Sequence, residues 1–183
     1  MYVRYQAEKT SNLQHTATVG PDQRSSSSSS LPTPGFPRFR EISDRLGTLV
    51  EDIAAPNIPG VFNRYFGVDE PDFLMMRARR KHPTDPSRRR EFDVIAVTPA
   101  LLLVNETKSR PRRESILEFA ESLGEVTEFF PEYADRRVVP VLSALHLDEE
   151  LITLLTDRGI YAMTMSEDSM ELRNFEAVSA ASR

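Results

Sequence analysis

Two strand-like runs, "EFDVIAV" (91–97) and "LLLVNETK" (101–108), are separated only by "TPA". A link that short joins antiparallel neighbours, because parallel strands need a crossover of a dozen or more residues. If Thr98 pairs with Leu101, paired positions add to 199 and Asp93 faces Glu106. Residues directly opposite share a face, with Cβ atoms about 4.5–5.5 Å apart. Lys108 stands on the face of Glu106, since strand side chains alternate with period two. A slip of one residue would send Asp93 to the other face. Pro99-Ala100 is not a favoured two-residue turn, but longer loops with the same centre keep the pairing.

The second run is apolar until it reaches Asn105, Glu106, Thr107 and Lys108. Charges at the end of a buried strand are expensive unless they are paired or hold a metal. Two opposed carboxylates can share a hard divalent cation; without one, they repel or one stays protonated. Two carboxylates and a lysine suit metal-assisted phosphodiester hydrolysis with Mg2+ or Mn2+, in which a cation polarises the phosphoryl oxygen and lysine balances charge. The competing reading is a structural Glu106–Lys108 ion pair with Asp93 an ordinary strand-end residue.

The remaining pattern predicts α/β architecture in the order α-β-β-β-α-β-α-β. The first helix is expected over Glu41–Ala54, with Ile42, Leu46, Leu49, Val50 and Ile53 as its apolar stripe and Pro56 as its end. "DFLMMRARR" reads as a strand and Glu114–Phe130 as a helix. "RVVPVLSAL" reads as a strand near an edge or bulge because of its proline. Asp148 and Gly159 bracket another helix, "IYAMTM" is a short strand, and "MELRNF" suits a last one. Residues 1–38, with "RSSSSSSLPTPGFP", read as a disordered tail or linker, residues 39–176 as one domain and 177–183 as a C-terminal tail.

Charge is uneven. The net charge is −5, yet Arg77–Arg113 holds 11 Lys and Arg against 4 Asp and Glu. Such a band can attract an anionic ligand, or it can be a solvated loop. Arg88, Arg89, Arg90, Arg110, Arg112 and Arg113 flank the two strands and are candidates for phosphate contacts, with DNA or RNA as the partner. No cysteine is present, and no apolar run reaches the length of about 20 residues that a membrane span needs. A soluble cytoplasmic protein is therefore expected, its oligomeric state open and a homodimer among the options. His15, His82 and His146 lack metal-ligand spacing, and there is no phosphate-cradling glycine motif.

"FDVIAV…LLLVNETKS" resembles the core motif of the PD-(D/E)XK nuclease superfamily, which has the restriction-endonuclease-like fold. The chain is more specifically similar to a prokaryotic branch classed as a domain of unknown function. That likeness includes "LGTLVEDIAAPNIPGVFNRYFG" before the motif and "EFFPEY", "RVVPVLSAL" and "LLTDRGIYAM" after it, from Asp44 to Phe175. The resemblance implies a mixed sheet flanked by helices and a metal-dependent nuclease. It implies Asp93 and Glu106 as metal ligands, Lys108 as the catalytic lysine, and a first-helix glutamate matching Glu51. Helical projection puts Glu51 about 150° from the expected stripe, on the solvent side, though Gly47 and Ala54 share that side and permit close approach. Several branches carry a Gln or Tyr on the helix after the lysine; here that helix has Glu114, Glu118 and Glu121 and no Gln. A non-catalytic module of the same fold, binding nucleic acid or protein, is the alternative, followed by a small interaction domain whose charges are structural.

Overall fold

A computed structural model describes residues 36–181. The chain divides into two units, Met1–Pro34 and Gly35–Arg183; the first, which contains most of the expected tail, lies outside the described residues. The second unit is built on one six-stranded sheet in the order β1-β2-β3-β4-β5-β6. Its strands are β1 (Phe73–Lys81), β2 (Arg89–Val97), β3 (Leu101–Thr107), β4 (Arg137–Ala144), β5 (Tyr161–Met165) and β6 (Met170–Leu172). The pairs β1–β2, β2–β3 and β5–β6 are antiparallel, and β3–β4 and β4–β5 are parallel. Helices α1 (Phe36–Phe66), α2 (Arg113–Ser122), α3 (Val126–Phe129), α4 (Glu149–Asp157) and α5 (Phe175–Ala181) complete the unit. This mixed sheet flanked by helices agrees with the restriction-endonuclease-like architecture. The expected element order holds, β6 forms within the expected last strand "MELRNF", and α5 is added. Among the described residues, no helix is long and apolar enough to cross a membrane.

The sheet is covered on both sides, which is why β3 reads as an unbroken apolar run. Leu102 and Val104 belong to a core with Ile116, Phe119 and Leu155 from α2 and α4. Leu101 and Leu103 belong to the opposite core, with Ala54, Ile58 and Phe62 from α1 and Val178 from α5. Residues 177–181, expected as tail, are thus helical, with Val178 buried. Likewise Phe36–Arg38 already belong to α1.

Helix α1 does not stop at Pro56; it runs through Pro56 and Pro59 to Phe66. An interior proline removes one backbone hydrogen bond and costs about 3 kcal/mol. Burial outweighs it: Ala54, Ala55, Ile58, Val61 and Phe62 all pack on the sheet, and each large side chain so buried contributes about 1.5–3 kcal/mol. Gly67, at φ 66°, ends the helix, and the Val68 N–H reaches back to the Phe62 carbonyl. The expected stripe is also displaced. Leu46 and Leu49 are 41% and 51% exposed, and among the described side chains of α1 the first buried one is Val50; Ile42 lies outside the described side chains.

Strand β4 lies inside the sheet rather than near its edge. Arg137 N–H donates to the Ala100 carbonyl, and the Ser143 carbonyl accepts from Lys108 N–H, so odd residues of β4 address β3. Pro140 therefore turns its missing donor toward β5, where the β4–β5 ladder starts one residue later, at Val141. The predicted helix over Glu114–Phe130 is interrupted by a turn of 3-10 helix at Leu123–Glu125.

The displaced stripe makes a measurable prediction. Phe62→Ala should destabilise the protein by about 3–5 kcal/mol, whereas Leu49→Ala should stay within about 0.5 kcal/mol. Urea unfolding followed by circular dichroism distinguishes this from the stripe read in the sequence, which would make Leu49 a core residue.

Candidate functional site

The β2–β3 hairpin has the expected register. Val94 pairs with Asn105 and Val97 with Leu102, and Thr98 N–H donates to the Leu101 carbonyl. Continued by one rung, that register sets Asp93 opposite Glu106. The Thr107 N–H donates to Asp93 Oδ2 at 2.7 Å, which ties the carboxylate to the end of β3. Lys108 Nζ donates to Glu106 Oε1 at 2.5 Å. Asp93, Glu106 and Lys108 are all partly buried.

Glu106 and Lys108 line an open cleft of about 320 Å3. Ser115, Glu118 and Ser122 of α2 form one wall, and Arg90 and Glu91 of β2 stand beside it. Arg90 is held by a hydrogen bond from Nη1 to the Ser122 carbonyl and lies over the Phe92 ring. The ion pair demanded by the structural reading is present, but it faces an opening in the surface.

Asp93 is the electrostatically unusual group. Burial, first, then the Glu106 carboxylate and the charge of Glu51 push its carboxyl up to about 6, against the pull of the Thr107 N–H and of Lys108. For Lys108, burial alone would lower the ammonium's pKa; the hydrogen bond and charge of Glu106 and the charges of Asp93 and Glu118 more than offset it, and the net shift is upward.

Glu51 is not on the solvent side. With the packed face starting at Val50, it lies beside that face, and Arg77 Nε donates to Glu51 Oε2 at 2.8 Å. The same guanidinium reaches Asp52 Oδ1, also at 2.8 Å. Arg77 was not legible in the sequence as part of this neighbourhood. It sits in β1 on the rung facing Asp93, between the pairs Met76–Val94 and Ala78–Phe92, and has φ 50°. The left-handed region is costly for a residue with a Cβ. Sheet alternation breaks at this rung. Phe92 and Ile95 share one core although they are three residues apart, and Met75 and Ala78 pack against that core as well. The distorted rung thus turns the outer half of the β1–β2 hairpin relative to the inner half.

Beneath the site lies a buried polar network. Asn105 Nδ2 donates to Thr107 Oγ1 at 2.9 Å, and Ser143 Oγ donates to Asn105 Oδ1. It links the ends of β3 and β4 where the charges begin.

The basic candidates separate. Arg88 is engaged by Glu128 at 2.8 Å and Glu125 at 3.3 Å. Arg90 enters the cleft. Arg89, Arg110, Arg112 and Arg113 are exposed.

Among the described residues, no three His, Cys, Asp or Glu side chains come together in a way that could hold a metal ion. The donor chemistry nonetheless suits Mg2+, which takes oxygen ligands, keeps several waters and is bound through one or two carboxylates plus substrate phosphate. A carboxyl held up by burial and by a neighbouring carboxylate is a condition that a divalent cation relieves.

Residues 83–172 match the model of a domain of unknown function (DUF8196). That match takes in β2 to β6 and covers just under half of the chain. No curated protein matches. Among solved structures, the chain is similar to protein VC1899 from Vibrio cholerae, with 16% identity and a TM-score of 0.45 over 63% of this chain and 29% of that one. It is also similar to a repair endonuclease from Pyrococcus abyssi, with 16% identity and a TM-score of 0.40 over 62% of this chain and 47% of that one. The chain therefore spans less than half the length of either structure.

The raised Asp93 carboxyl has a consequence for stability. Its folded pKa of about 6 lies above the ordinary 3.8, so between these values the folded state binds more protons than the unfolded one and stability falls as pH rises. In the presence of a chelator, Asp93→Asn should be more stable than wild type at pH 7.5, by about 1–3 kcal/mol, with most of the gain gone at pH 3.5. Urea unfolding at the two pH values measures the difference.

Proposed function

We propose that this protein is a metal-dependent nuclease of the PD-(D/E)XK type that hydrolyses phosphodiester bonds of DNA or RNA in the cytoplasm. The observation that carries the reading is the Asp93 carboxyl tied to the Thr107 N–H next to Glu106, with Lys108 hydrogen-bonded to Glu106 in the lining of an open cleft. Asp93 and Glu106 would hold Mg2+ or Mn2+, which supplies a polarised phosphoryl oxygen and a water of lowered pKa.

The chain's own residues have distinct tasks in that reading. Lys108 keeps its ammonium charged through Glu106 and presents it to the cleft, where it orients the attacking water and offsets charge building on the phosphate. Thr107 fixes one oxygen of Asp93 with its backbone N–H. Glu51, held by Arg77, adds negative charge behind Asp93. Arg90, anchored on Ser122, supplies a second cation for a phosphate oxygen in the same cleft.

The 2.5 Å pair of Lys108 and Glu106 also favours a second reading, a non-catalytic module of the same fold that binds nucleic acid or protein. The two readings part on mutation. In the nuclease, Lys108→Ala should lower cleavage by about 10²–10³-fold while Mg2+ binding persists, because an ammonium does not ligate the ion. Asp93→Ala should lose both binding and cleavage. Titration calorimetry with Mg2+ or Mn2+, beside a cleavage assay on labelled single- and double-stranded substrates, measures both. Wild type that neither binds the ion nor cuts any substrate would leave the binding module as the function.

A further inference from the structure

Helix α1 carries one of its sides past the end of the sheet. That side faces β6: the Asn57 side chain accepts from the Met170 N–H at 3.1 Å, and Arg64 pairs with Glu171 at 2.5 Å. At about 100° per residue, Ile53, Leu49 and Leu46 continue the same side toward the N-terminus. The sheet does not follow them. Strand β5 ends at Met165, which pairs with Met170, the first residue of β6. Ile53 is still partly buried against the core on the α1 side. Leu49 and Leu46, the next turns along, are exposed.

The sequence extends the series. Phe39, Ile42, Leu46, Leu49 and Ile53 recur at steps of 3, 4, 3 and 4. This is the a/d spacing of a helix that packs along a second helix. Charge selects the direction of that second helix. Arg45 and Asp52, both exposed, border the stripe on its outer edge, a cation at one end and an acid at the other. A parallel copy would set like charges together, whereas an antiparallel copy sets Arg45 of each helix near Asp52 of the other. The acidic end has room for a second cation, because Glu51 and Asp52 share the one guanidinium of Arg77 on the opposite flank of α1.

We propose that this stripe is the contact surface between two copies of the chain, whose α1 helices pack antiparallel about a two-fold axis, Leu46 of each against Leu49 of the other. A surface that complements itself in this way closes after two copies. The core of each copy is formed without the stripe, so pairing joins chains that are already folded. A contact made chiefly by one helical stripe corresponds to a dissociation constant in roughly the micromolar range. The cleft of Glu106 and Lys108 is walled by α2, on the other face of the sheet, and pairing leaves it open.

Sedimentation velocity on the full chain reads the pairing. Wild type should pass from monomer to dimer as its concentration rises through the micromolar range. Leu49→Glu should weaken the dimer at least about 100-fold, because each dimer carries the change twice. Arg45→Glu should weaken it about ten-fold, and Arg45→Lys much less. Leu74→Glu, at an exposed leucine of β1 on the other flank of α1, should pair as wild type does. In dilute solution, where wild type is monomeric, Leu49→Glu should unfold at the wild-type urea concentration, which checks folding. The chain has no cysteine, so single cysteines report the orientation. On oxidation, an equal mixture of Leu46→Cys and Leu49→Cys chains should cross-link mainly between the two variants. Equal cross-linking of each variant with itself would overturn the antiparallel pairing, since parallel helices bring like positions together. Wild type that stays monomeric, or a wild-type dimer that Leu49→Glu leaves intact, would overturn the proposal as a whole.

Discussion

Two carboxylates on one rung of an antiparallel ladder repel each other, and burial at the end of a sheet strengthens the repulsion. Much of the surrounding structure answers that constraint. Lys108 neutralises Glu106 directly, and the backbone of Thr107 gives Asp93 a donor. Arg77 pairs with Glu51, whose charge still adds to the push on Asp93. Even so, the Asp93 carboxyl stays above the ordinary range, held there first by burial and then by the charge of Glu106. A site in that condition gains from any cation that enters it, which is why a structural ion pair alone is an incomplete account of these residues.

The rigidity of the rung comes from its neighbours. Asn105, Thr107 and Ser143 form a buried chain of hydrogen bonds across β3 and β4. Groups so buried hold their geometry because breaking one bond leaves another group unsatisfied. On the other side, Arg77 occupies a backbone conformation that few residues with a Cβ adopt, and two carboxylates of α1 grip its side chain. Strain of this kind persists only where surrounding contacts over-determine it. The link also ties α1 to β1 at the level of the site, so the helix and the sheet edge cannot shift independently.

Much of this was legible in the sequence. The hairpin and its register could be read because two apolar runs with a three-residue link leave little freedom, and strand parity then places Asp93, Glu106 and Lys108. The alternation of strands and helices after β3 was legible for a similar reason. Helix α1 departs from its local signals because tertiary burial decides there: Pro56 looks like a stop, and Leu46 and Leu49 look like core. The sheet packs instead on the segment beyond them, and that shift moves Glu51 from the solvent side to the site. Pro140 misled in the same manner, since the direction in which its missing donor points depends on strand partners that lie outside the segment. Arg77 carried no local signal, because its part follows from facing Asp93 across a ladder and from reaching a helix 25 residues upstream.

The short link between β2 and β3 also orders events in time. Asp93, Glu106 and Lys108 lie on one hairpin, whereas β4 pairs with β3 across a crossover that contains α2 and α3. Hairpins form in about 1–10 μs, and pairings between distant segments wait for the closure of longer loops. The acidic rung is therefore first assembled in water, where two carboxylates repel weakly, and is enclosed only when the parallel strands and α1 arrive. The unfavourable charge arrangement does not obstruct nucleation; it is met at the final closure of the sheet, when most of the apolar surface is already out of water.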